Sequence, residues 1–363
     1  MTKESFDKLL SLLDDHPVFF NNSSCPQRPP KYQLQVTLYH YGGGATGSRM
    51  RTAIQFSIGE GTVHLYVRRV TEAILALQRE YICWPEPNSP EYAEIVGRHQ
   101  FEYGFPNCLG FVDGTLVPVY RKPIVQGERY YTRKSTYALN ATAIVDSTTR
   151  ILFVVAGSKI MNETMTLMVD TGANHDSLVL NESKLYTHEQ FFFQDSTGYI
   201  LGDSAYRLTN RCMKPYSKKE CIDDEEGHYA QFNIHYSSAR VKVEHTFGSM
   251  KMRFPLMSGL STVLGSEEGN QRGVEFIFAA CILHNFLLTA KDGWIPTEED
   301  MAIINEGAVE AYNSILQLQW LEAIANDEQA VTERKVGELK RKWLTATVVD
   351  WLLAQGKIAH VDN

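Results

Sequence analysis

Apolar side chains recur most clearly at Val243, Phe247, Met250 and Phe254, at i, i+4, i+7 and i+11 of HYSSARVKVEHTFGSMKMRF (residues 235–254). That spacing predicts a helix with one apolar stripe. Arg240, Glu244 and Lys251 fall on another side of it, so one carboxylate has a cation one turn before it and another two turns after. Ser237 reads as the N-cap and Pro255 as the stop. Taken alone, the charged side is a solvated face with an ordinary Arg–Glu pair, worth a few tenths of a kcal/mol.

Upstream, MTKESFDKLLSLLDDHP is an amphipathic acidic helix, followed by a Pro/Asn/Ser-rich connector, NNSSCPQRPP. Gly42 to Gly47 matches G-x-G-x-x-G, but no strand–turn–helix unit surrounds it, so a dinucleotide site is rejected. The next stretch (about residues 46–78) has the outline of a helix-turn-helix. Ala53 and Phe56 sit on a short helix, residues 57–61 make a Gly-containing turn, and a second helix starts near Thr62 with Val63, Val67, Val70 and Ile74 as its inner stripe. Thr62, His64, Arg68 and Arg69 are then exposed. A plain helical hairpin gives the same pattern. Residues 84–107 are a Pro-rich connector with one short helix. Near Phe105 the period changes to that of strands: residues 109–119, 137–145 and 151–156, with a turn at 146–150, and later 198–203. Helices dominate thereafter. This order indicates an α/β sandwich around a mixed sheet, with residues 1–104 as a helical N-terminal domain, 105–290 as the sheet domain and 291–363 as a helical tail. In the tail Ile315, Leu318, Leu321 and Ile324 are apolar positions, and Lys340-Arg341-Lys342 is more often a solvated helix face than an import signal.

The 363 residues, 44% hydrophobic and 21% charged, suffice for a sizeable core. A net charge of −8 means that any nucleic-acid contact must come from local basic patches. The six cysteines (25, 83, 108, 212, 221, 281) form no close pairs, and the spacing of Cys212, Cys221, His228 and His235 fits no common zinc finger. The N-terminus lacks the basic start and apolar core of an export signal. No run is expected to be long enough to cross a bilayer. A soluble intracellular protein is expected.

Asp113 interrupts an apolar strand, on the face of Leu109 and Phe111; Asp203 ends another, after Tyr199 and Leu201. Each alone reads best as a structural Asp bonding turn amides. Two such strands plus the Glu244 helix change the balance, because three gathered carboxylates repel one another and need a cation. Hard oxygen ligands suit Mg²⁺ or Mn²⁺. Two ions about 3.5–4 Å apart would serve in-line phosphoryl displacement. Arg121, Lys122, Arg129, Arg133, Lys134, Arg240, Lys242, Lys251 and Arg253 would then bind phosphates. Spacing and chemistry thus reach a metal-dependent phosphoryl-transfer site, acting on nucleic acid.

FVDGT around Asp113, LGDSAY around Asp203, SSARVKVEHTFGSMKMRF around Glu244 and ACILHNF (residues 280–286) together resemble the core blocks of PIF/Harbinger-type DDE transposases and the nucleases derived from them. The resemblance covers roughly residues 30 to 290, in order. It implies an RNase H-like fold in which the first and fourth strands lie side by side, with Asp113, Asp203 and Glu244 as catalytic metal ligands. It also implies Mg²⁺ or Mn²⁺, cutting at transposon terminal repeats with strand transfer, and a nuclear location. A Myb/SANT-like DNA-binding partner protein and a homodimer on paired DNA ends are implied as well. One departure stands out: KIMNETMTLMVDTGA (residues 159–173) separates Gly157-Ser158 from Asn174-His175-Asp176, where the family has a short turn. It is either a lineage-specific loop or translated intron sequence, and sequencing the spliced transcript decides between them. His175 and Asp176 read as a pair supporting the site or, the commoner case, as a loop cap.

Three functions compete: a DNA transposase or nuclease, a catalytically silent domesticated descendant that binds DNA or protein, and an RNase H-like enzyme acting on RNA or RNA–DNA hybrids.

Overall fold

The computed structural model describes residues 1–21, 23–43, 48–125, 127–132, 135–156, 160–162, 165–167, 183–193, 197–260, 264, 266–293 and 328–358. Its centre is a sheet of five strands: β1 (Cys108–Pro118), β2 (Ala138–Val145), β3 (Ile151–Ala156), β6 (Tyr199–Leu201) and β7 (Cys212–Met213). Two further strands, β4 (Ile160–Asn162) and β5 (Met165–Leu167), pair with each other inside the inserted stretch. The remainder of that stretch, with His175 and Asp176, lies outside the described residues.

The strand order is β3-β2-β1-β6-β7, with β1–β2 and β2–β3 antiparallel and β1–β6 and β6–β7 parallel. The first and fourth strands expected from the sequence therefore do lie side by side, and the mixed sheet with helices on its faces is consistent with the RNase H-like fold. Every residue of β2 is buried, as an unbroken apolar run requires when both faces are covered. The β2–β3 turn is closed by Asp146, whose Oδ1 accepts from Thr148 N, Thr148 Oγ1 and Arg150 N, the Asx chemistry of a tight turn, while its Oδ2 pairs with Arg98.

Before the sheet come α1 (Lys3–Leu13), α2 (Pro30–Gly42), α3 (Arg49–Phe56), α4 (Glu60–Ala76), α5 (Gln78–Tyr81) and α6 (Pro90–Tyr103). Thr2 caps α1 by accepting from Ser5 N. Helices α2, α3 and α4 share a small core of Val36, Ala53, Val63 and Tyr66, and α3 turns into α4 through Ser57, whose φ is 52°. The helix-turn-helix outline thus has its own packing. Of the residues expected to be exposed on α4, Arg68 is exposed; Thr62, His64 and Arg69 are half-buried.

After β3 come α7 (Lys184–Thr187), α8 (Glu189–Phe192), α9 (Lys218–Ile222), α10 (His228–Arg253), α11 (Glu267–Thr289) and α12 (Glu328–Ala354). One continuous core joins Leu9, Leu34, Val70, Phe111, Val243, Phe278 and Leu344, so the N-terminal helices and α12 pack on the same apolar mass as α10 and α11. On the other face Leu109, Val112, Ile144 and Ile200 meet Leu185 and Phe193.

Four expectations are corrected. Helix α10 begins at His228, nine residues before Ser237, because Phe232 and Tyr236 carry the buried stripe backwards with no breaker between them. Leu109 does not share a face with Asp113: a bulge between Cys108 and Gly110 sends it to the other side, while Phe111 stays. Helix α11 is long and apolar enough to cross a bilayer (mean hydropathy 1.3 over its best window), but 78% of that window is buried inside the fold. Packing on all sides accounts for its composition. Of Lys340-Arg341-Lys342 only Lys342 is solvated as expected. Lys340 Nζ donates to Thr197 O and Asn210 O, and Arg341 is buried, pairs with Glu220 and lies over the Tyr216 ring. Ile315, Leu318, Leu321 and Ile324 lie outside the described residues.

Candidate active site

Strand register builds the site first. Phe111 of β1 is paired with Leu201 of the parallel β6. Two residues further along each chain come Asp113 and Asp203, on the side of the sheet that holds Tyr199, Leu201 and Phe111. Period-two alternation in two parallel neighbours therefore aims both carboxylates at the same covering helix. That helix is α10. Tyr236, Arg240 and Glu244 follow one another at four-residue intervals on it, one turn apart on one face.

Each acidic group is held by local chemistry. Asp113 Oδ1 accepts from Gly114 N at 2.8 Å and Oδ2 lies 3.1 Å from Arg240 Nη2. Asp203 Oδ1 accepts from Ala205 N at 2.9 Å. Before it, Gly202 is required by close approach, since a Cβ there would stand 2.9 Å from the Tyr206 ring and 3.1 Å from Cys212 Sγ. Tyr236 Oη lies 2.6 Å from both Gly202 O and Met213 O, so α10 pins the β6 end that carries Asp203. Sequence reasoning missed Tyr236, although its place one turn before Arg240 was a visible signal.

Burial and charge then set the electrostatics. Burial works against the charge on Arg240, but Asp113, Asp203, Tyr236 and Glu244 more than reverse this and raise its hold on the proton. Burial raises Glu244 above the ordinary carboxylate range; Arg240 pulls it down and Asp203 pushes it up. Glu244 Oε2 is buried with no hydrogen-bond partner among the described residues. Asp113 is paired with Arg240, and the charges of Asp203 and Glu244 act on the same guanidinium, so Arg240 is a buried partner of Asp113 instead of a solvated phosphate contact.

In chemical type, though not in spacing, the donors suit a hard divalent cation: three carboxylates, one with a buried oxygen that has no hydrogen-bond partner among the described residues. Among the described residues no three His, Cys, Asp or Glu side chains are grouped closely enough to hold one ion by themselves.

The basic residues separate into groups. Arg68, Arg121 and Lys122 are exposed, and Arg69 and Lys251 half-buried. Arg253 is spent on Asp292, at 2.7 Å to Oδ1 and 3.1 Å to the main-chain O. Arg133 and Lys134 lie outside the described residues. Arg49 and Arg51 on α3 are exposed cations that sequence reasoning passed over.

The ACILHNF block is structural. Asn285 Oδ1 accepts from Ile151 N, and its Nδ2 donates to Ile151 O and Tyr81 O, at 2.7–2.9 Å. His284 Nε2 lies 2.9 Å from Thr149 O and donates to it. These bonds tie α11 to the start of β3 and to α5.

The DDE superfamily endonuclease family matches residues 112–285, limits that enclose Asp113, Asp203, Glu244 and Asn285. Similar as well is the Arabidopsis thaliana protein antagonist of like heterochromatin protein 1, 21% identical over 262 residues, which are 72% of this chain and 63% of that relative. The chain thus spans less than two thirds of the relative's length. No solved structure matches. Over residues 112–285, which hold most of the sheet together with α10 and most of α11, the chain is thus similar to the DDE superfamily endonuclease family.

Proposed function

We propose that the protein is a metal-dependent DNA endonuclease and transposase that cuts at transposon terminal repeats and transfers strands, with Asp113, Asp203 and Glu244 as its metal ligands. The observation that carries this reading is the register that sets Asp113 and Asp203 at matching positions of the parallel neighbours β1 and β6, with Arg240 of α10, one turn from Glu244, paired to Asp113. Two divalent ions, Mg²⁺ or Mn²⁺, when bound would activate a water or a 3′-hydroxyl and steady the leaving oxygen. The chain's own part is to hold the three carboxylates: Gly114 N and Ala205 N fix one oxygen of each aspartate, and Tyr236 fixes the strand end beneath Asp203. Phosphates would be met by Arg49, Arg51 and Arg68 on the α3–α4 unit and by Arg121, Lys122 and Lys251 nearer the acidic basin. A nuclear location, a Myb/SANT-like partner and a dimer on paired ends belong to the same proposal.

The test is cleavage of a duplex bearing the element's terminal repeat. Asp113→Ala, Asp203→Ala and Glu244→Gln each reduce Mg²⁺-dependent cutting to background while circular dichroism and melting show a folded chain. Cutting retained in all three overturns the reading.

The second reading is a domesticated descendant that binds DNA or protein without cutting. Its support is the name of the relative, an antagonist of another protein, and the guanidinium already beside Asp113. Calorimetric titration with Mn²⁺ separates the two, since a descendant that only binds has no need to take up metal at these carboxylates.

A further inference from the structure

Arg240 is 4% exposed and sits one helical turn from both Tyr236 and Glu244. Its Nη2 is 3.1 Å from Asp113 Oδ2, close enough for an ion pair. Yet neither Nη2 nor Nε has a hydrogen-bond partner among the described residues. A guanidinium carries five N–H donors and keeps its proton under all ordinary conditions. Burying one with donors unspent is costly, and only a strongly negative surround repays it. Asp113, Asp203 and Glu244 are that surround. The reverse also holds: three acidic groups at close quarters repel one another unless a cation lies among them. The bonding is consistent with a charge shared by the basin: Nη2 is within ion-pair reach of Asp113 but outside hydrogen-bond geometry, and Nε has no hydrogen-bond partner among the described residues.

We propose that Arg240 is the resident counter-cation of this basin, holding the three carboxylates together in the metal-free protein and competing with a divalent ion for them. The inference rests on the reading of Asp113, Asp203 and Glu244 as a metal site. It makes Arg240 a positioning residue with an uncommon signature. Removing a guanidinium whose role is only packing weakens the fold and leaves metal affinity lower or unchanged. Removing a competing cation weakens the metal-free fold and tightens metal binding. The two effects have opposite signs.

The experiment titrates the full chain with Mn²⁺ alone, wild type against Arg240→Gln, by calorimetry, with melting curves taken with and without the metal. The expected result is a Kd for Mn²⁺ lower by about tenfold or more in Arg240→Gln. Its metal-free melting temperature falls below that of wild type, and Mn²⁺ raises it by a larger increment. Equal or weaker Mn²⁺ binding in a folded Arg240→Gln chain, with wild type binding normally, overturns the inference and leaves the metal site standing. No uptake by either chain overturns the metal reading and the inference with it. Where Arg240→Gln does not fold, wild-type crystals grown with Mn²⁺ decide. Arg240 Nη2 moved out of ion-pair reach of Asp113 Oδ2 supports competition, and an ion pair kept beside bound metal overturns it.

Discussion

Helices α10 and α11 lie against the same face of the sheet, and each buries polar side chains from a block of sequence that carries the family resemblance. They spend those side chains differently. On α11, Asn285 makes three hydrogen bonds to main chain of β3 and α5, and His284 bonds the turn before β3. On α10, Arg240 leaves Nε and Nη2 and Glu244 leaves Oε2 without hydrogen-bond partners among the described residues. A buried polar group that is fully paired stabilises a fold, whereas one left short is tolerated where something else uses it. Helix α11 staples the sheet, and α10 holds polar atoms in reserve.

The largest effect expected from this contrast is on stability. Asn285→Ala strands Ile151 N–H and two carbonyls, and costs about 3–5 kcal/mol in denaturant unfolding, while the folded fraction keeps its Mn²⁺ affinity. Glu244→Gln removes a half-buried charge held near another carboxylate, shifts stability by less than about 1 kcal/mol and abolishes metal uptake. A large stability loss for Glu244→Gln with a small one for Asn285→Ala would reverse the roles given to the two helices.

A smaller effect concerns the end of α11. Burial works against ionisation of Asp292, but bonds from Ser5, Thr2 N–H and the Thr2 hydroxyl prevail and hold its carboxyl down at about 2, from 3.8. The folded state therefore binds this proton less readily than the unfolded state. The stabilisation is present above pH ~4 and is lost as pH falls from there towards 2, an amount on the order of 1–2 kcal/mol. Asp292→Asn removes that acid limb from the pH–stability profile, measured by urea unfolding at a series of pH values. An unchanged limb would assign it to other carboxylates.

Much of this architecture was legible because it depends on local pattern. Strands β1, β2 and β3 and the apolar stripe of α10 follow from periods of two and 3.6, and Asp113 and Asp203 stood out as charges ending or interrupting apolar runs. The illegible parts depend on partners distant in sequence. Arg240 looked like half of a surface i,i+4 pair; only β1 and β6 packing against α10 make it a buried cation. Lys340 and Arg341 looked solvated until the carbonyls of Thr197 and Asn210 and the Tyr216 ring met them. Leu109 changed face through one bulge that no periodicity announces. The block at residues 280–286 was recognised as characteristic, but that its Asn285 is a staple is visible only with β3 and α5 in place.

The most direct test of the central claim, that one basin gathers Asp113, Asp203 and Glu244 to hold a divalent ion, is anomalous diffraction from crystals of the full chain soaked in Mn²⁺. The account predicts a peak bounded by the Asp113 and Asp203 carboxylates on the Glu244 side of the sheet, absent in Asp203→Asn crystals treated alike. Crystals with Mn²⁺ only at surface sites, or with the same peak in Asp203→Asn, would contradict it.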